Sequence, residues 1–210
     1  MEDVLEVYRR PYDPLYPMVC LDELGKQLLS TPRGQLRLQA GQIRCEDYEY
    51  ARHGTCNLFM AVEPLRGFRR VWVTARRTKL DFAELLRLLV DEVYPDAERI
   101  VLVTDNLNTH SPACLYERFA PAEARRIASK IEWHYTPEHG SWLNIAECEL
   151  SVLHRQCLNR RLSDLQAVER EALAWEAKRN QLAITVDWHF TTADARIKLK
   201  HLYPVINVQN

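Results

Sequence analysis

The sequence contains no long hydrophobic run, and this absence argues against a membrane protein. No apolar stretch approaches the roughly 20 residues that a membrane-spanning helix needs. The first ten residues, MEDVLEVYRR, are charged and lack the apolar core of a secretory signal peptide. We therefore expect a cytoplasmic protein that has no membrane partner.

Paired cysteines are also missing. No two cysteines have the CxxC spacing. The six cysteines are Cys20, Cys45, Cys56, Cys114, Cys148 and Cys157. The nearest approach to a metal cluster is Cys45 with His53 and Cys56, and its spacing fits no common zinc template. Reduced thiols in a cytosolic interior are therefore the better interpretation of these residues.

A strong excess of one charge is absent as well, because the formal net charge is −1. This total argues weakly against a nucleic-acid partner, since phosphate binding needs Lys and Arg. The local distribution matters more than the sum. Residues 66–79 contain six basic residues, and residues 151–210 carry nine Lys and Arg against six Asp and Glu. A solvated face explains each cluster taken alone, but an acidic active site would lower the total without removing a basic groove.

Short apolar runs predict strands. Buried strands are indicated by PMVCLD (17–22), RIVLVTD (99–105) and IEWHYTP (131–137). The alternation of apolar and basic residues in GFRRVWVTARR (67–77) is typical of a strand with one basic face. Residues 48–64 are typical of two strands that join at His53-Gly54.

Helical patterns separate the later strands. An amphipathic stripe follows Asp81 and ends at Pro95, and Ser141 is a suitable N-cap for a helix to about Leu158. Ser163 begins a further helix, and residues 191–202 form a short basic one. Before the first strand, the three prolines of PYDPLYP favour an extended linker at residues 1–17. Hairpin-type strands followed by alternating strands and helices predict a mixed α/β sheet with helices against it.

Three carboxylates fall at special places in this pattern. Asp22 ends the first strand, Asp105 ends the RIVLVTD strand, and Glu147 lies in the first turns of the following helix. Each alone is more often a turn or cap residue. If the two strands are adjacent, however, their carboxyl ends meet where sites form in open α/β sheets. Ionised carboxylates repel one another in a small volume, and bound Mg²⁺ or Mn²⁺ would offset this repulsion. The pattern therefore predicts a site for two such ions.

Polar neighbours of these acids leave alternatives open. Glu149 lies about 200° around the helix from Glu147 and should face elsewhere. Glu23 should point to the opposite face from Asp22 if the strand persists. Asn106, Asn108 and His110 could orient metal water or touch DNA, but a loop and cap role is favoured; Trp142 could stack on a base, but packing is commoner for a tryptophan at a helix start.

Three segments resemble a known family. VCLDE, VTDNLNTH and HYTPEHGSWLNIAE are similar to the three acidic motifs of DDE-type insertion-sequence transposases, in the bacterial "DDE superfamily endonuclease" branch related to mariner-type elements. The stretch WHYTPEHGSWLN before the final Glu is the most specific part. The resemblance extends from about Val4 to Pro204 and includes the FTTADARIKLKHLYP tail.

The resemblance implies a ribonuclease-H-like fold, similar to that of retroviral integrases, with a mixed five-stranded sheet flanked by helices. It implies that residues 18–210 are the DDE catalytic domain with a C-terminal helical extension. It also implies that Asp22, Asp105 and Glu147 are the metal-binding catalytic triad for two Mg²⁺ or Mn²⁺ ions. The implied function is cut-and-paste transposition, in which water cleaves DNA at the transposon ends and the freed 3′-hydroxyl attacks target DNA.

One departure concerns recognition of the transposon ends. Full-length relatives carry an N-terminal helix-turn-helix domain, and nothing before Asp22 could form one. We therefore expect a truncated form, one product of a split gene or a remnant, with end binding supplied by a separate polypeptide or the missing domain. Relatives work as synaptic dimers, although the sequence shows no clear dimer motif.

Two alternatives to the enzyme remain. One is a non-catalytic remnant that binds DNA or regulates a split transposase, and the intact triad argues against it. The other is a different nuclease of the same fold, which would share the metal chemistry but not the GSWLN signature. A phosphatase with an Asp nucleophile is excluded, because the position two residues after Asp22 is Leu24.

Overall fold

Five strands form one mixed sheet in the computed structural model, which describes residues 1–32, 48–107, 110–138 and 140–203. The strands are β1 (Met18–Ser30), β2 (Ala51–Glu63), β3 (Phe68–Thr74), β4 (Ile100–Thr104) and β5 (Ile131–Tyr135). Their order across the sheet is β3-β2-β1-β4-β5. The first three strands pair antiparallel, whereas β4 runs parallel to both β1 and β5.

Helices cover both faces of this sheet. They are α1 (Glu2–Tyr8), α2 (Lys79–Leu88), α3 (Ala113–Arg118), α4 (Pro121–Ser129), α5 (Ile145–Leu153), α6 (Leu165–Gln181) and α7 (Thr192–Lys198). Both α2 and α5 continue into a π-helical turn, Leu89–Val93 and His154–Leu158 respectively. None of the helices in the described ranges is both long and apolar enough to cross a lipid bilayer.

Alternation along β1 divides the core into two clusters. Met18 and Cys20 pack on one face with residues of α1, α5 and α6, while Val19 and Leu21 pack on the other face with residues of α2, α3 and α4. Successive side chains of a strand point to opposite faces, so one apolar strand supplies both clusters. Strand β4 is buried along its whole length, as a parallel strand covered on both faces should be.

Strand β1 is longer than the sequence suggests. The prediction that it ends at Asp22 is wrong, because β1 continues to Ser30. Its parallel pairing with β4 stops at Cys20–Val103, but its antiparallel pairing with β2 carries it onward. Asp22 therefore lies where the parallel part of the sheet ends, in the middle of its own strand.

Two other local predictions need correction. Residues 51–63 form one strand and not a hairpin at His53-Gly54, because Gly54 adopts a φ of +94° within β2 and the facing part of β1 shows a register shift between Gln27 and Leu29. A bulge thus produces the same glycine signal as a turn. The expected linker at residues 1–17 begins with α1, whose Val4 and Leu5 are completely buried.

Helix α6 covers the open edge of the sheet at β3. The Asn180 side chain accepts a hydrogen bond from the Arg69 backbone N–H and donates one to the Arg69 carbonyl, both at 2.8 Å. Glu176 accepts a further bond from the Val71 N–H at 2.6 Å. These side chains replace the missing neighbour strand and leave less of the edge open to pairing with another chain.

A buried ion pair lies beneath this edge. Arg69, whose side chain is fully buried, donates from Nε to Glu149 Oε2 at 2.9 Å, and Arg179 donates two bonds to the same carboxylate at 2.9 and 2.8 Å. Both Nη atoms of Arg69 are buried without a hydrogen-bond partner. Burial raises the pKa of Glu149, but the two guanidinium groups outweigh it and hold that pKa below its ordinary value of 4.5.

We expect this pair to make stability fall in acid. A carboxyl whose pKa is lower in the folded state stabilises the fold fully above its ordinary value, and this contribution is lost as the pH drops through the folded pKa. Denaturant unfolding from pH 6 to pH 3 should therefore show the wild type losing its advantage over Glu149→Gln below about pH 4.5. A constant difference over that range would contradict the account.

Candidate active site

The register of the two central parallel strands brings two acids together. Cys20 pairs with Val103, so Asp22 and Asp105 each lie two residues beyond the last parallel pair and on the same face. That face is the one on which α5 packs. Strands β1 and β4 are neighbours in the sheet, which is the condition on which the sequence-based prediction of a shared site depended.

The third acid is carried by α5, which Asn144 fixes to β1. The prediction of Ser141 as the N-cap is wrong, because Ser141 begins a 3₁₀ turn and Asn144 caps the helix. Asn144 is completely buried; its Oδ1 accepts from the Ala146 N–H at 3.1 Å, and its Nδ2 donates to the Leu21 carbonyl at 3.0 Å. One side chain thus joins the start of α5 to the residue before Asp22.

We expect Asn144→Ala to lower the free energy of unfolding by about 1–3 kcal/mol. It removes a helix cap and leaves a buried carbonyl without this donor. Ser141→Ala is the matched control, and it should change stability by less than about 0.5 kcal/mol because its exposed hydroxyl caps nothing. Denaturant titration of both variants checks this, and an equal effect of the two substitutions would contradict the assigned cap.

The three predicted acids line one cleft with a volume of about 440 Å³. Side chains of α5 and of the π-helical turn that continues it line the cleft at a helical spacing and so occupy one face: Glu147, Leu150, Ser151 and His154. The cleft is also lined by Asp22, Glu23, Leu24, Asp105 and Ser141. The fold therefore gathers acids that are 83 and 42 residues apart in the chain into one concave surface.

Electrostatics reflect this proximity. The pKa of Asp22 is raised to about 7, first because burial disfavours its charged form and then because Asp105, Glu23 and Glu147 are negatively charged. The Glu23 backbone N–H, which donates to Asp22 Oδ1 at 2.8 Å, only partly offsets these effects. A cation in the cleft would relieve the repulsion among the carboxylates.

His110 neutralises part of this charge. Its ring is buried, stacks on Phe82 at a centroid distance of 4.3 Å, and contacts Asp105 through Nδ1. Its Nε2 lies 3.1 Å from Glu23 Oε2. Burial opposes the charged ring, but the bonds to Asp105 and Glu23 prevail and raise the pKa of His110 to about 9. His110 therefore lies between an acid of β1 and the acid that follows β4.

His110 lies in a bend, as the loop interpretation predicts, but its ring is buried, which the sequence does not indicate. The DNLNTH segment places it five residues after Asp105, and only the fold reveals that Phe82 and Glu23 enclose it. The expectation that Glu149 faces away from Glu147 is confirmed by its pairing with Arg69.

The other residues that the sequence analysis considered near the acids or as metal ligands lie in different environments. Asn106 is exposed, and Asn108 lies outside the described residues. Trp142 is 43% exposed and packs edge-on against Phe190, with ring centroids 5.7 Å apart. Cys45, the first member of the weak cysteine–histidine cluster, also lies outside the described residues.

The donor set of the cleft fits a hard divalent cation. Carboxylate oxygens are the ligands that Mg²⁺ and Mn²⁺ prefer, and the repulsion that raises the pKa of Asp22 favours a positive ion there. Within the described parts of the chain, no group of three or more His, Cys, Asp or Glu side chains is arranged closely enough to hold a metal ion.

A family model matches most of this architecture. Residues 17–169, which include the sheet, all three acids and α5, match the model described as DDE superfamily endonuclease. The chain belongs to the DDE superfamily endonucleases. No curated protein sequence matches it.

Solved structures share the fold of this DDE family member. The Mos1 strand transfer complex aligns with a TM-score of 0.53 and 14% identity, over 86% of this chain and 54% of that one. The Mos1 mariner paired end complex with Mn aligns with a TM-score of 0.52 and 14% identity, over 86% of this chain and 54% of that one. A pre-cleavage Mos1 transpososome aligns with a TM-score of 0.51 and 15% identity, over 86% of this chain and 58% of that one. The predicted ribonuclease-H-like fold is confirmed, and the chain spans a little over half the length of these structures.

Proposed function

We propose that this chain is the catalytic domain of a transposase, which cleaves DNA phosphodiester bonds at transposon ends and transfers the freed strand into target DNA. The observation that carries the proposal is the single cleft lined by Asp22, Asp105 and Glu147 in a chain of the DDE endonuclease family. The domain extends over residues 18–210, with α6 and α7 as its C-terminal helical extension.

The three carboxylates would hold two Mg²⁺ or Mn²⁺ ions. Asp22 would supply oxygen ligands from β1, Asp105 from the residue that follows β4, and Glu147 from the facing helix. When bound, such a pair of ions activates the attacking oxygen and stabilises the leaving oxygen of an in-line phosphoryl displacement. Asn144 and His110 position this set, Asn144 by fixing α5 to β1 and His110 by its contact with Asp105.

The reaction has two steps with the same chemistry. Water attacks phosphorus at the transposon end, the bond to the 3′-oxygen breaks, and the released 3′-hydroxyl takes up a proton. That hydroxyl then attacks a phosphodiester of target DNA, where a second 3′-oxygen leaves. No covalent bond between the protein and DNA is needed in either step.

The partners of the proposed enzyme are DNA at the transposon ends and at the target. A homodimer would hold two ends together. A helix-turn-helix domain or a separate end-binding polypeptide would supply sequence recognition.

Nicking of DNA tests the proposed function. Purified protein is incubated with supercoiled plasmid and labelled duplex DNA in Mg²⁺, Mn²⁺ or EDTA, beside Glu147→Gln. We expect metal-dependent nicks from the wild type and none from the variant. Metal-independent nicking, or equal nicking by Glu147→Gln, would reject the proposal; DNA binding without any nicking would instead favour the non-catalytic DNA-binding remnant.

A further inference from the structure

A second and larger concavity lies beside the acidic cleft. Its volume is about 780 Å³, and we call it the α6 groove. Its lining includes Arg155, Arg160, Glu171, Trp175, Lys178, Arg179 and Ile184. The π-helical turn after α5 forms one wall and α6 forms the other.

Positive charge dominates the α6 groove. Four cations face a single carboxylate, and that carboxylate, Glu171, is paired with Arg160. Arg179 is held by Glu149. Arg155 and Lys178 are exposed and have no ion-pair partner among the residues that the structure describes. Two uncompensated cations in one groove form a ready binding site for an anion.

The wall of the groove at Ile184 packs against the turn between β2 and β3. Gly67 in the β2–β3 turn has a φ of +70°, and a Cβ at this position would lie 2.5 Å from the backbone of Ala183. Val186 donates from its N–H to the Pro64 carbonyl at 3.0 Å. The segment around Ile184 therefore packs against the turn between β2 and β3.

The groove and the cleft share one wall. His154 lines the cleft, and Arg155, the next residue of the same turn, lines the groove. We propose that the α6 groove binds the phosphate backbone of duplex DNA flanking the bond held in the cleft, with Arg155 and Lys178 as phosphate contacts. This inference rests on the proposed function for the identity of its ligand, because DNA is the polyanion that the cleft would act on.

The groove's chemistry favours backbone binding over base recognition. The Trp175 ring is already engaged within the protein: its Nε1 donates to Gln156 at 2.8 Å, and the Arg179 guanidinium lies over one face, 5.5 Å from the ring centroid. Lys and Arg contacts to phosphate carry no sequence information but fix the position of the duplex. We therefore expect the contribution of this groove to be independent of sequence and strongly salt-dependent.

Binding measurements with a matched charge control test the inference. Fluorescence anisotropy of a labelled duplex in EDTA gives Kd as a function of salt for the wild type, Arg155→Ala/Lys178→Ala and the charge-keeping Arg155→Lys/Lys178→Arg. The control is Arg99→Ala/Arg125→Ala, which removes two exposed cations that also lack an ion-pair partner in the described chain, from positions outside both concavities. All four cations are exposed, so the variants should fold.

We expect the groove double-alanine variant to bind about tenfold or more weakly at low salt, with the slope of log Kd against log salt reduced by roughly 2. The charge-keeping variant should retain most of the wild-type affinity. The control variant should retain most of the wild-type slope of log Kd against log salt. Wild-type affinity and slope in the groove variant, or an equal loss in the control, would overturn the inference. Normal salt-dependent binding without nicking would refute the proposed catalysis but would still support DNA binding by the α6 groove.

Discussion

Asp105→Asn is expected to reduce metal-dependent nicking of DNA by about 10³-fold or more while the protein stays folded. The substitution keeps the size of the side chain but removes the anionic oxygen that a divalent cation needs. Metal-ion stabilisation of a phosphoryl transition state contributes several kcal/mol, and about 4 kcal/mol corresponds to a thousandfold in rate. The amide oxygen can still accept a bond from His110, so this local contact should survive.

The measurement is plasmid nicking in Mg²⁺ and in Mn²⁺, together with circular dichroism and thermal unfolding. Asp96→Asn is the matched control, because it makes the same chemical change at an exposed residue that precedes β4 at the opposite end of the strand. It should nick like the wild type. Undiminished nicking by Asp105→Asn would reject the assigned role of this residue.

The largest expected effect on stability comes from Glu149→Gln. The substitution removes the negative charge from between Arg69, which is fully buried, and Arg179, whose side chain is 14% exposed. Removing one partner of a buried pair leaves an uncompensated charge and costs about 3–5 kcal/mol. The cost here should be at the upper end, because both Nη atoms of Arg69 already lack a hydrogen-bond partner.

Denaturant unfolding checks this value, with Glu123→Gln as the control. Glu123 pairs with Arg126 on the surface, where an ion pair contributes less than about 1 kcal/mol. Combining Glu149→Gln with Arg69→Met should recover part of the loss, since the buried positive charge is then gone. Equal destabilisation by the two glutamine variants would show that burial of this pair is energetically unimportant.

Local patterns in the sequence predicted most of the strands, whereas the metal-binding role of the three acids stays a prediction. The apolar run before Asp105 predicts a buried strand, and the spacing of Glu147 and Glu149 predicts their divergence on a helix. Both predictions are confirmed, because each depends only on the short-range periodicity of a strand or a helix. The family resemblance added the specific fold, which no local pattern reveals.

What the sequence did not predict depends on contacts between distant segments. Asn144 caps α5 only because the Leu21 carbonyl, 123 residues away, also needs its amide. His110 becomes buried through Phe82 and Glu23, which come from a helix and a strand far from it in the chain. The continuation of β1 past Asp22 is enforced by pairing with β2, and its own residues look too polar for a buried strand.

Metal-ion rescue of Asp105→Cys tests the central claim most directly. A thiolate is a poor ligand for Mg²⁺ but is accepted more readily by the softer Mn²⁺. If the Asp105 side chain contacts the metal, the variant should be inactive in Mg²⁺ and regain nicking in Mn²⁺, whereas Asp105→Ala should stay inactive in both. Equal inactivity of the cysteine and alanine variants in Mn²⁺, or nicking by either in Mg²⁺, would contradict the metal-ligand role.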